Sequence, residues 1–473
     1  MRAAGATEAC GRAVSRLRFE ALAACAVVAI GATLRASAQT SCGGVPQPAL
    51  ADAAELCQGA PSAPDLVGDT AEGLAASSAE TAEQTSPGKA TARPPDFRHR
   101  SRLTGDWRGL RNWVEDRGIS IEPVWVGNGF DNFRGGLRRG TTGAMAPQLT
   151  VTADLEKAVG LHGGKFHISV ASHEGHNPSE VLVGDIQLMN RFGSGPFVQV
   201  YELWYEQELL GNSLRAAGGK MDANSQFSVI NNGLSFLNSA TQVSPTVQGF
   251  PTYPFPSLGL TLFYTPPDPF FASFAIYAVG RDDRFLVFYG HPESLQPTLH
   301  GKLFIGETGL NWSGMEQLKS DRNLRLGFWR NTGAFTRFDG GTEQGARGFY
   351  AILDEVLWRP ARDESGARGL RTFLEYGYTS CAVAPVCRHY GAGVSWKGPF
   401  TRRKKDEAGF AAEYAHLSPG LQTPHRYELA LEAFYRIEVA PWVIVQPDFQ
   451  FIVHPSGQYP SAAVGTLFVQ FNF

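Results

Sequence analysis

The 473-residue chain is close to neutral, with a formal net charge of −3, and offers no electrostatic footprint for nucleic acid. Its length admits several soluble domains or one large all-β domain. Glycine, at 53 residues, exceeds the usual share of about 7%, and with 11% aromatics it suits a twisted sheet with tight turns and interfacial girdles.

Residues 1–38 read as a removable signal for Sec-type export. Arg2, Arg12, Arg16 and Arg18 form a basic n-region, residues 21–34 an apolar h-region, and Ala36-Ser37-Ala38 an A-x-A cleavage site. Leu22-Ala23-Ala24-Cys25 resembles a lipoprotein box, but Arg18 and Glu20 interrupt the apolar run that should precede it. Export places Cys42, Cys57, Cys381 and Cys387 in an oxidising compartment. Cys381 and Cys387, flanking Ala382-Val383-Ala384-Pro385-Val386, are a candidate loop disulfide, whereas pairing of Cys42 with Cys57 stays open. Residues 39–98 are rich in Ala, Pro, Ser and Thr and nearly free of aromatics. They bury too little apolar surface to offset chain entropy, so disorder is expected.

Order is expected to begin in the 99–118 region. Leu103, Trp107, Leu110 and Val114 fall at helical spacing, with Thr104 placed to cap and Gly118 to terminate one short helix. From residue 119 to 473 the pattern is β, with no second helix. Tyr201, Leu203 and Tyr205 alternate with Glu202, Trp204 and Glu206. Leu260, Leu262 and Tyr264 share a parity, as do Leu324, Leu326 and Phe328.

The clearest strand spans 427–439, where Tyr427, Leu429, Leu431, Ala433, Tyr435, Ile437 and Val439 oppose Glu428, Ala430, Glu432, Phe434, Arg436 and Glu438. Four charges on one face suit a water-filled lumen and not lipid. Residues 443–453 repeat the scheme, with Gln446, Asp448 and Gln450 facing away from Val445, Pro447, Phe449, Phe451 and Val453. In the last strand Leu467, Val469, Phe471 and Phe473 share one wholly apolar parity and Thr466, Phe468, Gln470 and Asn472 the other, mostly polar one. The terminal Phe473 is of the kind that barrel-assembly machinery reads as a signal. No stretch after the signal reaches the roughly 18 apolar residues that a membrane helix needs, so a membrane reading requires a barrel. At roughly 23 residues per strand and connection, about 16 antiparallel strands are expected, enough to enclose an aqueous channel.

Several separated pieces, spread over residues 103–473, resemble the OprB-type carbohydrate-selective porins of Gram-negative outer membranes. Leu103-Thr104-Gly105-Asp106-Trp107-Arg108-Gly109-Leu110-Arg111 resembles the family's opening helix, with Arg108 where a glycine is more usual. His173-Glu174-Gly175-His176-Asn177-Pro178-Ser179 with Gly184-Asp185 is similar to the family's first hairpin, Glu202-Leu203-Trp204-Tyr205-Glu206-Gln207 to a signature strand, and Gly219-Lys220-Met221-Asp222 with Phe227 to the next one. The closing run is the most specific: Glu432-Ala433-Phe434-Tyr435-Arg436, Pro441-Trp442, Gln446-Pro447-Asp448-Phe449-Gln450 and His454-Pro455. The resemblance implies a transmembrane 16-stranded barrel in the cell outer membrane with the helix at its periplasmic end. It further implies passive diffusion of monosaccharides and polyols, neither catalysis nor a cofactor, and a monomer or homotrimer.

A sugar donates and accepts hydrogen bonds and carries an apolar C–H face, so a selective lumen needs charged or amide groups and a flat aromatic. The expected lumen residues are Glu202, Trp204, Glu206, Lys220, Asp222, Glu428, Glu432, Arg436, Asp448 and Gln450. Each has a plainer reading. Glu202 and Glu206 suit a solvated wall, Lys220 and Asp222 a cross-strand pair fixing register, and Trp204 a packing aromatic. Glu432 and Arg436 stand about 13 Å apart along one strand and so should pair with its neighbours. The narrowing loop is sought in 236–257 or 291–301.

His173, Glu174 and His176, with His167 nearby, lack metal-ligand spacing, and no metal is expected. Arg402, Arg403, Lys404 and Lys405 read as a solvated loop, with lipopolysaccharide as a minor partner. Two other classes compete: an exported glycosidase and a sugar-binding β-sandwich. The first needs two paired carboxylates, for which the spacing gives no cue. The second leaves the charged face on so many strands unexplained.

Overall fold

The computed structural model describes Phe97 and residues 100–266, 269–279, 286–290, 301–311, 322–360 and 368–473. The export signal, Cys42, Cys57, nearly all of 39–98, and residues 291–300 lie outside the described residues.

The strands follow one another as antiparallel neighbours: β1 Ile119–Arg134, β2 Gly140–Asp154, β3 Gly164–Gly175, β4 Phe197–Leu209, β5 Leu214–Met221, β6 Ser257–Tyr264, β7 Phe270–Val279, β8 Val287–Gly290 and β9 Gly301–Asn311. They continue through β10 Arg322–Thr336, β11 Thr342–Trp358, β12 Gly369–Thr379, β13 Val386–Lys397, β14 Glu407–Leu417, β15 Tyr427–Ala440, β16 Val443–Val453 and β17 Ala462–Asn472. β8 touches only the first residues of β4, and β7 pairs directly with β9. The other sixteen strands form the wall, which closes where β17 pairs with β1, Val126 opposite Gln470 and Phe130 opposite Thr466. Among the described residues no helix is long and apolar enough to cross a membrane, and a closed barrel needs none, because every wall strand finds both neighbours.

Parity sorts the wall as the alternation predicts. Leu260 is 65% exposed, and Phe274, Phe328, Leu374, Phe410 and Leu467 share its outward aspect. Glu428, Glu432, Asp448, Gln450 and Gln470 are buried inside. An aromatic belt runs around the outside from Phe328 through Phe349, Tyr376, Tyr390 and Tyr414 to Tyr427, with neighbouring rings 5.0–6.3 Å apart. Such a girdle fits a membrane–water boundary.

Three local features depart from the expected pattern. Tyr201 points inward with its side chain fully buried, because a bulge between the Ser169–Glu202 and Val170–Val200 pairs inserts one residue and reverses parity. The first helix is shorter than its spacing suggests: a 3₁₀ turn Trp107–Gly109 kinks at Arg108, φ 61°, and α1 covers only Leu110–Glu115. Asp106 caps the turn by accepting from the Arg108 amide, while Thr104 Oγ1 accepts from the Trp107 indole instead. A second short helix, α2 Leu155–Val159, follows β2 where only strand was expected; Asp154 caps it and Gly160, φ 80°, ends it. Its brevity leaves no periodicity to read.

The first helix docks on the barrel seam through one side chain. Arg111 is 3% exposed, donates to Gly105 O at 2.9 Å and to Phe473 O at 2.9 Å, and stacks over Trp107 at 4.1 Å. Burial, reinforced by Arg102, lowers its pKa to about 10. The Phe473 amide donates to Pro123 O at 3.0 Å, tying the last residue to β1.

Candidate functional site

Two connections at the end opposite the chain termini turn into the lumen: residues 176–196 between β3 and β4, and 222–256 between β5 and β6. The second lies partly in the expected 236–257 region. Its apolar residues Phe227, Ile230, Phe236, Val243 and Val247 pack on wall residues Trp329, Tyr350, Phe373 and Phe434. Phe236 meets Phe434 edge-on at 4.8 Å and Phe373 at 5.9 Å. These contacts explain why Phe434 stands on the otherwise charged face of β15.

Buried loop backbone needs partners, and wall carboxylates provide them. Glu428 accepts from the amides of Ile186 at 2.8 Å, Gln187 at 2.9 Å and Ser456 at 2.6 Å. Glu432 accepts from Leu237 at 2.5 Å and Asn238 at 2.9 Å. Asp354 takes Asn231 at 3.1 Å and Asn232 at 2.9 Å, and Glu307 takes Ser228 at 2.9 Å with the Tyr350 hydroxyl at 2.7 Å. Gln450 completes the set, accepting from Asn238 Nδ2 at 3.1 Å and donating to Met189 O at 2.8 Å. The two loops also bond each other, Arg191 N to Leu237 O at 2.8 Å and Ser239 N to Leu188 O at 2.9 Å. Within the first loop Asp185 accepts from the Met189 amide at 2.7 Å, and burial raises its pKa to about 6.

Toward the termini end, β3, β4 and β5 bound a pocket open to the lumen and lined by Lys165, His167, Glu202, Trp204, Glu206, Arg215, Ser225 and Gln226. Glu206 sits between two cations, Lys165 Nζ at 3.3 Å and Arg215 at 2.7 Å. Arg215 also covers Phe263 at 4.2 Å. The His167 imidazole lies parallel to the Trp204 indole, 4.5 Å between centroids, and reaches Glu202 at 3.6 Å. Trp204 is 7% exposed, so its indole is an edge of this cavity with one face already covered.

The expected lumen residues therefore divide. Glu202, Trp204 and Glu206 come together at the cavity. Glu428, Glu432 and Gln450 hold the loops, with Asp448 buried on the same wall. Arg436 donates to Gln446 at 3.2 Å on the adjacent strand. Lys220 donates to Gln199 Oε1 at 3.1 Å and Val200 O at 2.7 Å. Asp222 accepts from the Tyr201 hydroxyl, and its amide donates to Glu202 at 3.0 Å. Cys381 and Cys387 are disulfide-bonded. His173 is buried against Phe197, 6.2 Å away, while His176 is exposed. Lys165, Arg215, Glu307 and Asp354 escaped the sequence reading, and His167 entered it only beside the candidate metal cluster. Their inward parity on their strands was the available signal.

A family model described as "Carbohydrate-selective porin, OprB family" matches residues 139–473. Porin B of Pseudomonas aeruginosa is 24% identical over 413 residues, covering 75% of this chain and 87% of that protein. The high-pH structure of Pseudomonas putida OprB superposes with a TM-score of 0.71 at 20% identity, covering 80% of this chain and 100% of that one. The low-pH structure of the same protein gives 0.54 at 18% identity, covering 79% and 99%.

Proposed function

This chain belongs to the carbohydrate-selective porin family OprB, and from that premise we propose that neutral sugars and polyols of glucose-like size are its preferred solutes. As a member of that family it is an outer-membrane channel for carbohydrates. The finer selectivity rests on one observation: Glu206 held between Lys165 and Arg215 beside Trp204. Opposed charges across neighbouring strands create a transverse field that orients hydroxyl dipoles without trapping an ion, and the loop-narrowed lumen brings solutes against it. Passage needs neither energy input nor a conformational step.

The same reading extends to the surroundings. Sec-type export and the barrel-assembly machinery deliver the chain, with the termini end facing the periplasm. On that orientation the basic run Arg402-Arg403-Lys404-Lys405, which lies between β13 and β14 at the termini end, faces away from the lipopolysaccharide leaflet. Arg403 and Lys405 are engaged there with Asp406 and Glu438.

Liposome swelling with sugars, polyols, sugar acids and amino acids of matched size tests the proposal. Faster entry of the neutral sugars supports it, and equal rates for all four classes remove the selectivity claim. Trp204→Ala should slow sugars relative to amino acids if the indole edge contacts solute. An unaltered ratio assigns the residue to packing.

A further inference from the structure

We propose that Glu375, His389 and Glu413 form a binding site for one divalent transition-metal ion, with Zn²⁺ as the natural probe. The three residues stand on consecutive strands β12, β13 and β14. Gly391 pairs with Glu375 on one side and Glu413 on the other, so both carboxylates lean over the same glycine. A Cβ at position 391 would lie 2.1 Å from Glu413 Oε2 and 2.7 Å from Glu375 Oε1; the notch exists because residue 391 has no side chain. His389, on the same face of β13, brings Nε2 to 3.3 Å from Glu413 and Nδ1 to 3.6 Å from Glu375.

Each of the three side chains is at most 1% exposed. Apart from these contacts with one another, Glu375 Oε1, both Glu413 carboxylate oxygens and both His389 nitrogens have no hydrogen-bond partner, and among the described residues no lysine or arginine pairs with either carboxylate. Two buried anionic groups are costly unless compensated; an imidazolium balances one, and the other must take up a proton or meet a further cation. A divalent cation balances both and satisfies the orphaned oxygens.

The donor set also fits. One ligand atom from each residue lies within 4.8 Å of the others, whereas a tetrahedral centre with bonds of about 2.0–2.2 Å holds its ligands some 3.3 Å apart. Rotation of the two carboxylates closes that gap. One imidazole and two carboxylates suit Zn²⁺ better than a softer ion, and three protein ligands leave a fourth position open. The ligands are contributed one per strand, so no spacing motif announces them.

The test uses the full chain without a polyhistidine tag, carrying His425→Asn and His454→Asn. Those two imidazoles, stacked 3.5 Å apart between loops, would otherwise take up zinc adventitiously. The protein is refolded from chelator-treated denaturant into detergent with Zn²⁺, freed of excess, and assayed for bound metal. The expected result is about one zinc per chain, falling at least tenfold in Glu413→Gln, in Glu375→Gln and in Gly391→Ala. X-ray absorption should show one imidazole nitrogen and carboxylate oxygens at about 2.0 Å. A correctly folded parent barrel that retains no zinc overturns the proposal in favour of an imidazolium shared between two carboxylates. So does zinc that is indifferent to all three substitutions, and at least one of the isosteric glutamine variants should fold even if Gly391→Ala does not.

Discussion

Glu206 sets its one negative charge against two cations from opposite neighbouring strands, Lys165 and Arg215. Replacing it with glutamine keeps the volume of the cavity wall and frees both positive charges. Glu206→Gln should therefore raise sugar-acid entry severalfold relative to the neutral sugar and shift the zero-current potential toward anion preference. Liposome swelling and planar-bilayer recordings check this, and an unchanged potential would mean that solutes do not pass close to Glu206. Glu432 makes a different residue-scale case. Glu432→Ala leaves the Leu237 and Asn238 amides without their buried acceptor, at about 1–3 kcal/mol for each orphaned donor. The barrel should survive while the loop detaches, giving a larger and noisier single-channel conductance.

At the scale of elements, the strands and the loops differ in how readable they are. β15, β16 and β17 were legible because lipid and lumen demand opposite chemistry at successive residues, and Glu428, Asp448 and Leu467 obey that demand. Tyr201 was not, since one inserted residue reverses parity without any mark in composition. The inward loops were legible only as long connections. Their anchors are backbone amides, which every residue type except proline carries, so the sequence of 222–256 holds no sign that Glu432 awaits its Leu237. Nor does it show that Phe236 will cover Phe434. The first loop adds a pH dependence. Burial holds Asp185 protonated up to about pH 6, above its unfolded range near 4. Its contribution to stability is complete below that unfolded value and is lost as pH rises through about 6. Amide exchange in residues 176–196 should accelerate between pH 5 and 7, and Asp185→Asn should flatten the change.

For the whole molecule, the outer surface is where a single charge does most harm. Leu260, in the middle of β6 and 65% exposed on the outer face, meets hydrocarbon in a membrane. Leu260→Arg should cost about 2–4 kcal/mol near the midplane, read from urea-driven unfolding in lipid vesicles, whereas the Asp185→Asn change on the lumen side should leave insertion intact. The anchors of the inward loops have another consequence at this scale. Leu237 and its acceptor Glu432 are 195 residues apart in the chain, and Ile186 and Glu428 are 242 apart, so both bonds wait for β15 to take its place in the wall. Contacts between such distant segments form slowly. Chain made early is thus held by chain made late: a wall that lacked β15 would be a conduit without its filter.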